Sequence, residues 1–357
     1  MLYITLAICF FASILLTPLV KKLAFKIGAT DKPNQRKVHS RIMPRLGGLA
    51  IFLSFIIGTL ISEPGNLMYG EFHWSIIIGA AIIILTGMVD DVKEISPKVK
   101  LFGQIAAAAV VVIYGGLKVE FINLPFGGII GFGYLSIPIT MIWIIGITNA
   151  INLIDGLDGL DDRVSSIALF SFAGMSMVMC NQYVTIMALI VGASTIGFLF
   201  YNFHPAKIFM GDTGALFLGY IIAVLSLLGY KNVTFISLII PVIILGVPIS
   251  DTFFAIIRRL VNKQPLSAPD KSHLHHCLLK LGFTHSQTVL LIYAMAALFG
   301  LAAFVFSQST VWGSIIVILA LLITIELVVE SIGLIREDYK PLLKFLKGLK
   351  PVNVKNR

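Results

Sequence analysis

Asn149, Asn152, Asp155 and Asp158 recur at every third position where an apolar run ends, in a segment that closes on Gly159-Leu160. A spacing of three drifts by about 60° per step around an α-helix, so the four cannot form one stripe along it. Neighbours can still converge, because Gly156 and Gly159 let the backbone bend. Two amides followed by two carboxylates offer hard oxygen donors suited to Mg²⁺ and to phosphate-bearing substrates. A plain helix cap explains the glycines but not two amides inside an apolar helix.

Other segments carry similar chemistry. Asp90-Asp91 closes an apolar run and is followed by Lys93, Lys98, Lys100 and Gln104. Adjacent helix positions diverge by about 100°, so the two carboxylates are not expected to share one task unless the helix ends there. Lys100 and Gln104, four apart, share a face. In the run from His204 to Gly214, Asp212 stands just before an apolar stretch, where it is either an ordinary N-cap or a metal ligand. Asp251 and Arg258 fall on one face of a further apolar run and suit an ion pair at the membrane edge. The loop after them holds Asp270, Lys271 and the cluster His273-Leu274-His275-His276-Cys277. No second ligand cluster has zinc-like spacing, so imidazoles beside a phosphate are the expected use. Arg36, Lys37, His39, Arg41 and Arg45 precede Gly47-Gly48, and either lipid headgroups or a substrate would engage them. Glu326 and Glu330, four apart, are expected to bond neighbouring helices.

Carboxylates interleaved with bases and imidazoles are the inventory of Mg²⁺-assisted phosphoryl transfer. No Gly-x-x-x-x-Gly-Lys-Ser/Thr loop is present to hold a nucleotide. A transporter or flippase is the rival class, since intramembrane acids and amides also line ion pathways, but these acids gather at loop ends.

The elements that must position these residues are membrane helices. Of 357 residues, 57% are hydrophobic and 13% charged, with a mean hydropathy of +0.95, beyond what a water-soluble chain of this length hides in a core. Eleven apolar runs are long enough, or nearly so, to cross about 30 Å of hydrocarbon: 2–24, 46–62, 73–89, 101–117, 135–154, 164–180, 184–202, 213–230, 233–257, 287–306 and 311–334. The first has no basic residue before it and Lys21, Lys22 and Lys26 after it, which marks a retained anchor with its N-terminus outside. With that orientation all 27 Lys and Arg except Lys118 and Lys231 lie inside, as the positive-inside rule requires. The net charge of +9 thus belongs to the inner face, where membrane lipids rather than nucleic acid would meet it.

The expected fold is therefore an all-α polytopic membrane protein of about eleven spans with a cytoplasmic C-terminus. It forms one catalytic membrane domain over 1–335, with loops 25–45, 90–100, 155–163, 203–212 and 258–286 forming the site, and a basic tail over 336–357. The outer segment 118–134 suggests a short hairpin around Pro125-Phe126-Gly127-Gly128. Cys9, Cys180 and Cys277 are scattered and build no disulfide framework.

The motifs His39-Ser40-Arg41-Ile42-Met43-Pro44-Arg45-Leu46-Gly47-Gly48, Asp90-Asp91, Asn149 to Leu160, His204 to Gly214 and His273-Leu274-His275-His276 stand in an order that resembles the polyprenyl-phosphate N-acetylhexosamine-1-phosphate transferases. Their forms are similar to the branch that begins teichoic-acid linkage units, and less like the phospho-MurNAc-pentapeptide transferases of peptidoglycan synthesis. The resemblance implies a bacterial plasma-membrane enzyme with its site on the cytoplasmic face. There undecaprenyl phosphate attacks the β-phosphate of UDP-N-acetylglucosamine, with Mg²⁺ or Mn²⁺, and a homodimer is left open. It implies that Asp212, with Asp155, binds the metal, and that Asp90 and Asp91 activate or position the lipid phosphate. It further implies that Asn149, Asn152, Asp155 and Asp158 hold nucleotide or metal, that Lys100, Arg45 and Arg258 serve the substrates, and that His273, His275 and His276 meet the diphosphate. Two departures from the family pattern are Asp161-Asp162-Arg163, where small residues are usual, and Ala215, where Ser is common.

Overall fold

The computed structural model describes residues 1–31, 42–63, 70–123, 128–154, 160–203, 205–230, 235–261, 263, 273–334 and 340–348. Its long helices are α1 (Leu2–Ile27), α2 (Gly47–Ser62), α3 (Gly70–Lys93), α4 (Pro97–Ala109, continued by a π-turn to Tyr114), α5 (Ser136–Ile154), α6 (Leu160–Val178), α7 (Gln182–Asn202) and α8 (Gly211–Tyr230). They are followed by α9 (Phe235–Ile244), α10 (Gly246–Val261), the short α11 (Leu274–Lys280), α12 (His285–Gln308), α13 (Val311–Ile332) and α14 (Pro341–Gly348). Every apolar run is helical, and the chain is an all-α polytopic membrane protein. Among the described residues, eight helices are long and apolar enough to span a bilayer, and α2 and part of α6 are shorter apolar helices.

The ninth run is not one continuous helix. It breaks at Leu245 into α9 and α10. Pro248 has no N–H to offer the carbonyl of Ile244, so the ladder cannot pass through, whereas a proline in the first turn of a new helix costs nothing. The break seats Gly246 against the ring of Phe299 on α12, where a Cβ would collide.

α8 is the axis of the bundle: 89% of its apolar window is buried, against 17% for α13. It packs between α3 and α5. Small residues make that approach possible, as lipid provides no hydrophobic drive between helices and close van der Waals contact must do so. Gly87 of α3 meets the backbone of Asp212 and Thr213, and Gly219 of α8 meets that of Thr148 on α5.

The two-residue strands β1 (Thr30–Asp31) and β2 (Met43–Pro44) pair antiparallel. The chain then runs beside 209–210: Pro44 C=O accepts from Phe209 N–H at 2.8 Å, and Gly47 and Gly48 N–H donate to the carbonyls of Phe209 and Met210 at 3.0 and 2.9 Å. At Gly48 a Cβ would meet Gly214 and the Thr213 carbonyl carbon, backbone atoms that cannot swing aside. Gly48→Ala is therefore expected to cost about 3 kcal/mol by overpacking. An unchanged thermal midpoint in detergent would refute this close approach.

On the opposite end of the bundle, β3 (Phe121–Asn123) pairs antiparallel with β4 (Ile129–Gly131), which bears out the expected hairpin; residues 124–127 of its turn lie outside the described residues. Two helices appear where loop and tail were expected, α11 and α14.

Candidate active site

The C-terminal end of α3, the N-terminal ends of α4 and α8, and the segment before α2 meet at one end of the bundle. Ser96 and Pro97 start α4 immediately after the turn that ends α3, with Pro97 in the first helical turn. The Asp90 carboxylate fixes that turn by accepting Ile95 N–H at 3.0 Å. The turn brings Lys100 back over Asp90, with Nζ 2.6 Å from Asp90 Oδ2 and 2.7 Å from Asp212 Oδ1. Two carboxylates from different helices thus converge on one cation. Arg45, held by the strand-like pairing at Phe209, reaches the other oxygen of Asp212 at 3.2 Å and lies 3.7 Å from Asp91 and 3.8 Å from Asp31.

Asp90 and Asp91 do divide their tasks. The side chain of Asp91 is completely buried and accepts Asp212 N–H and Thr213 N–H at 3.0 Å each and Thr213 Oγ1–H at 2.6 Å. It is the cap of α8, supplied by another helix. Negative charge is unfavourable at the C-terminus of α3, but here it faces the positive end of the α8 dipole. Gly211, at φ +73°, is the residue that permits this, since a Cβ there would meet the Asp91 carboxylate. Asp212, a natural N-cap candidate by sequence, is thereby left with both oxygens for cations. Asp90, Asp91 and Asp212 face Lys100 and Arg45. Lys100, Asp212 and Arg45 keep 19, 17 and 23% side-chain exposure, so this group opens to one side whereas Asp91 does not.

One turn deeper, Gln104 and Asn149 pair amide to amide: Asn149 Nδ2 donates to Gln104 Oε1 at 2.7 Å and Gln104 Nε2 to Asn149 Oδ1 at 3.2 Å. Asn149 also donates to Ile145 C=O at 2.8 Å, so its amide clamps α5 to α4. Asn152 lies about 4.5 Å further along α5, toward the level of Lys100, and its Oδ1 is buried with no hydrogen-bond partner among the described residues.

A second group forms on α10 and α11, with α10 packed on α5 and α12. Asp251 accepts from Leu274 N–H and from His273 Nδ1, both at 2.8 Å, and so both caps α11 and orients His273. The rings of His273 and His275 are parallel, 6.2 Å apart, and His276 lies 4.1 Å from His275. Burial, with two imidazoles alongside, pushes His275 down to about 3, so it is neutral at physiological pH. Arg258 donates to the carbonyl of Leu334 at 2.6 Å, closing the end of α13.

The model of glycosyl transferase family 4 matches residues 73–230, which hold Asp90, Asp91, Lys100, Asn149, Asn152 and Asp212. The chain is 50% identical, over 97% of each chain, to a Bacillus subtilis protein named probable undecaprenyl-phosphate N-acetylglucosaminyl 1-phosphate transferase. The chain belongs to glycosyl transferase family 4. Further relatives of this family-4 chain are a Mycolicibacterium smegmatis decaprenyl-phosphate N-acetylglucosaminephosphotransferase, 31% identical over 89% of this chain and 84% of its own, and a Salmonella typhi undecaprenyl-phosphate alpha-N-acetylglucosaminyl 1-phosphate transferase, 30% identical over 78% and 77%. The resemblance seen in the ordered motifs is borne out.

The family-4 site draws in residues that spacing alone did not single out. Asp31 and Thr213 are in contact with it, and Gly47-Gly48 tie Arg45 to the Asp212 segment. The Thr213–Asp91 contact and the backbone bonds from Gly47 to Phe209 and from Gly48 to Met210 each span more than a hundred residues and leave no local sequence signal. Asp155, Asp158, His204, Asp270 and Lys271, and the basic run Arg36, Lys37, His39 and Arg41, lie outside the described residues. Among the described residues no three acidic, His or Cys side chains stand close enough to hold a metal by themselves. Asp90 and Asp212 nevertheless aim one oxygen each at a single cation position. That donor set fits Mg²⁺, which commonly uses one or two carboxylates and completes its shell with water and substrate phosphate.

Proposed function

We propose that this chain transfers N-acetylglucosamine 1-phosphate from UDP-N-acetylglucosamine to undecaprenyl phosphate, giving undecaprenyl-diphospho-N-acetylglucosamine and UMP. The observation that carries the proposal is 50% identity across nearly the whole of both chains with a relative named for this transfer. An oxygen of the lipid phosphate attacks the β-phosphorus of the nucleotide sugar. A new P–O bond forms, the bond to the UMP oxygen breaks, and UMP leaves with the electron pair.

In this reading Lys100 and Arg45 turn toward the diphosphate once substrates arrive, offsetting the charge that gathers on its oxygens. Asp90 and Asp212 would hold Mg²⁺ or Mn²⁺ together with the substrate phosphates, and the metal supplies Lewis-acid neutralisation of the leaving group. Asp90, whose carboxylate holds Lys100 and the Ile95 amide, positions the lipid phosphate. Asn152 is free to meet the nucleotide. His273, its Nδ1 held by Asp251, presents Nε2 to the diphosphate. The N-terminus lies outside and the site faces the cytoplasm, where the nucleotide sugar is soluble, so the reaction begins teichoic-acid or other surface-glycan assembly. Acids gathered at helix ends, not at mid-depth, favour this over a transport pathway.

Purified protein in nanodiscs given undecaprenyl phosphate, UDP-N-acetylglucosamine and Mg²⁺ is expected to release UMP, and to stop when the metal is chelated. No UMP with any UDP-sugar would overturn the transferase reading. UMP release that persists under chelation would overturn the metal.

A further inference from the structure

Glu330 sits in the last turn of α13, is fully buried, and makes no contribution to the site described above. Its two oxygens accept Leu342 N–H at 2.6 Å and Leu343 N–H at 2.7 Å, the first free amides of α14. Pro341, in the first position, has no amide to satisfy. A buried carboxylate at the end of a membrane helix is costly unless paired, and the positive end of α14 pairs it.

That bond sets the depth of α14. Glu330 is two residues from the end of α13, about 3 Å along its axis, so the start of α14 is held within one helical turn of where a membrane span stops. This is the layer of phospholipid headgroups. At that level α14 exposes Phe345 (65%) beside the exposed Lys344, and Lys340, half-buried, lies four residues before Lys344 on the same face. A solvent-facing phenyl ring is out of place in water and well placed among acyl chains, with lysines reaching up to phosphates.

We propose that α14 is an interfacial helix that binds the phosphodiester headgroups of anionic phospholipids through Lys340 and Lys344, with Phe345 inserted below them. Glu330 fixes it to the bundle, so the end of α13 is anchored to the membrane surface.

Hydrogen exchange of the 340–348 amides in the full-length protein tests this. Single copies are placed in nanodiscs of phosphatidylcholine, of equal parts phosphatidylcholine and phosphatidylglycerol, and of phosphatidylcholine with polyprenyl phosphate. Two lysines near an anionic surface are expected to slow exchange about 30-fold in phosphatidylglycerol relative to phosphatidylcholine. Combining Lys340→Gln with Lys344→Gln should remove the difference, while α12 amides stay unchanged in every sample as the control for folding. Equal exchange in the first two discs, slowing that needs polyprenyl phosphate or a second copy in the disc, or slowing that survives the double substitution would each overturn the proposal.

Discussion

Asp212→Asn is expected to lower UMP release by about 10²–10³-fold, the loss typical of removing one preorganised charged group at a reacting phosphate. Asp212 is where three independent devices meet. Lys100 holds one oxygen at 2.7 Å, Arg45 holds the other at 3.2 Å, and its own N–H is fixed by Asp91. The substitution keeps shape and the backbone bond and removes only charge. The fold is therefore expected to survive, with the Asn amide presenting a donor to one of two cations. Steady-state UMP release alongside a melting curve separates the outcomes. Near-normal turnover in a folded Asp212→Asn protein would show that the convergence of Lys100 and Arg45 on this residue is structural.

Asp91→Ala has the second large effect, of a different kind. It strips the cap from α8 and leaves Asp212 N–H, Thr213 N–H and the Thr213 hydroxyl without their acceptor in a buried place. At about 1–3 kcal/mol for each of the three stranded donors, a loss of roughly 3–9 kcal/mol is expected, with activity falling alongside. Asp91→Asn keeps one acceptor oxygen but turns an amide donor toward donors, so stability and activity should both drop to an intermediate degree. A residue that accepts a proton in the reaction would behave otherwise, as its Asn variant would be inactive at full stability. The capping bonds favour a positioning role for Asp91 through Asp212, and the thermal midpoint measured beside turnover distinguishes the two roles.

Much of this was legible in the chain itself. Eleven apolar runs all became helix because a bilayer offers backbone polar groups no other partner, so hydropathy alone specifies secondary structure there. The exception, the break at Leu245, has its cause in Pro248, visible in the sequence but not decisive until the helix axis must turn. The divergence of Asp90 from Asp91 also followed from helix geometry, and the family followed from the order of the motifs.

What the tertiary structure alone decided is who partners whom. Sequence spacing reports which residues share a face of one helix, and the site is made between helices. Asp91 capping α8, Arg45 threaded to Asp212 through Gly47 and Gly48, and Asn149 closing on Gln104 join positions 45 to 167 residues apart. Asp251 likewise orients His273 across a long connection. Asp212 looked like a helix cap because local sequence contains no trace of a better one. The better one is a buried carboxylate on α3, and the approach of glycine-lined helices brings it there.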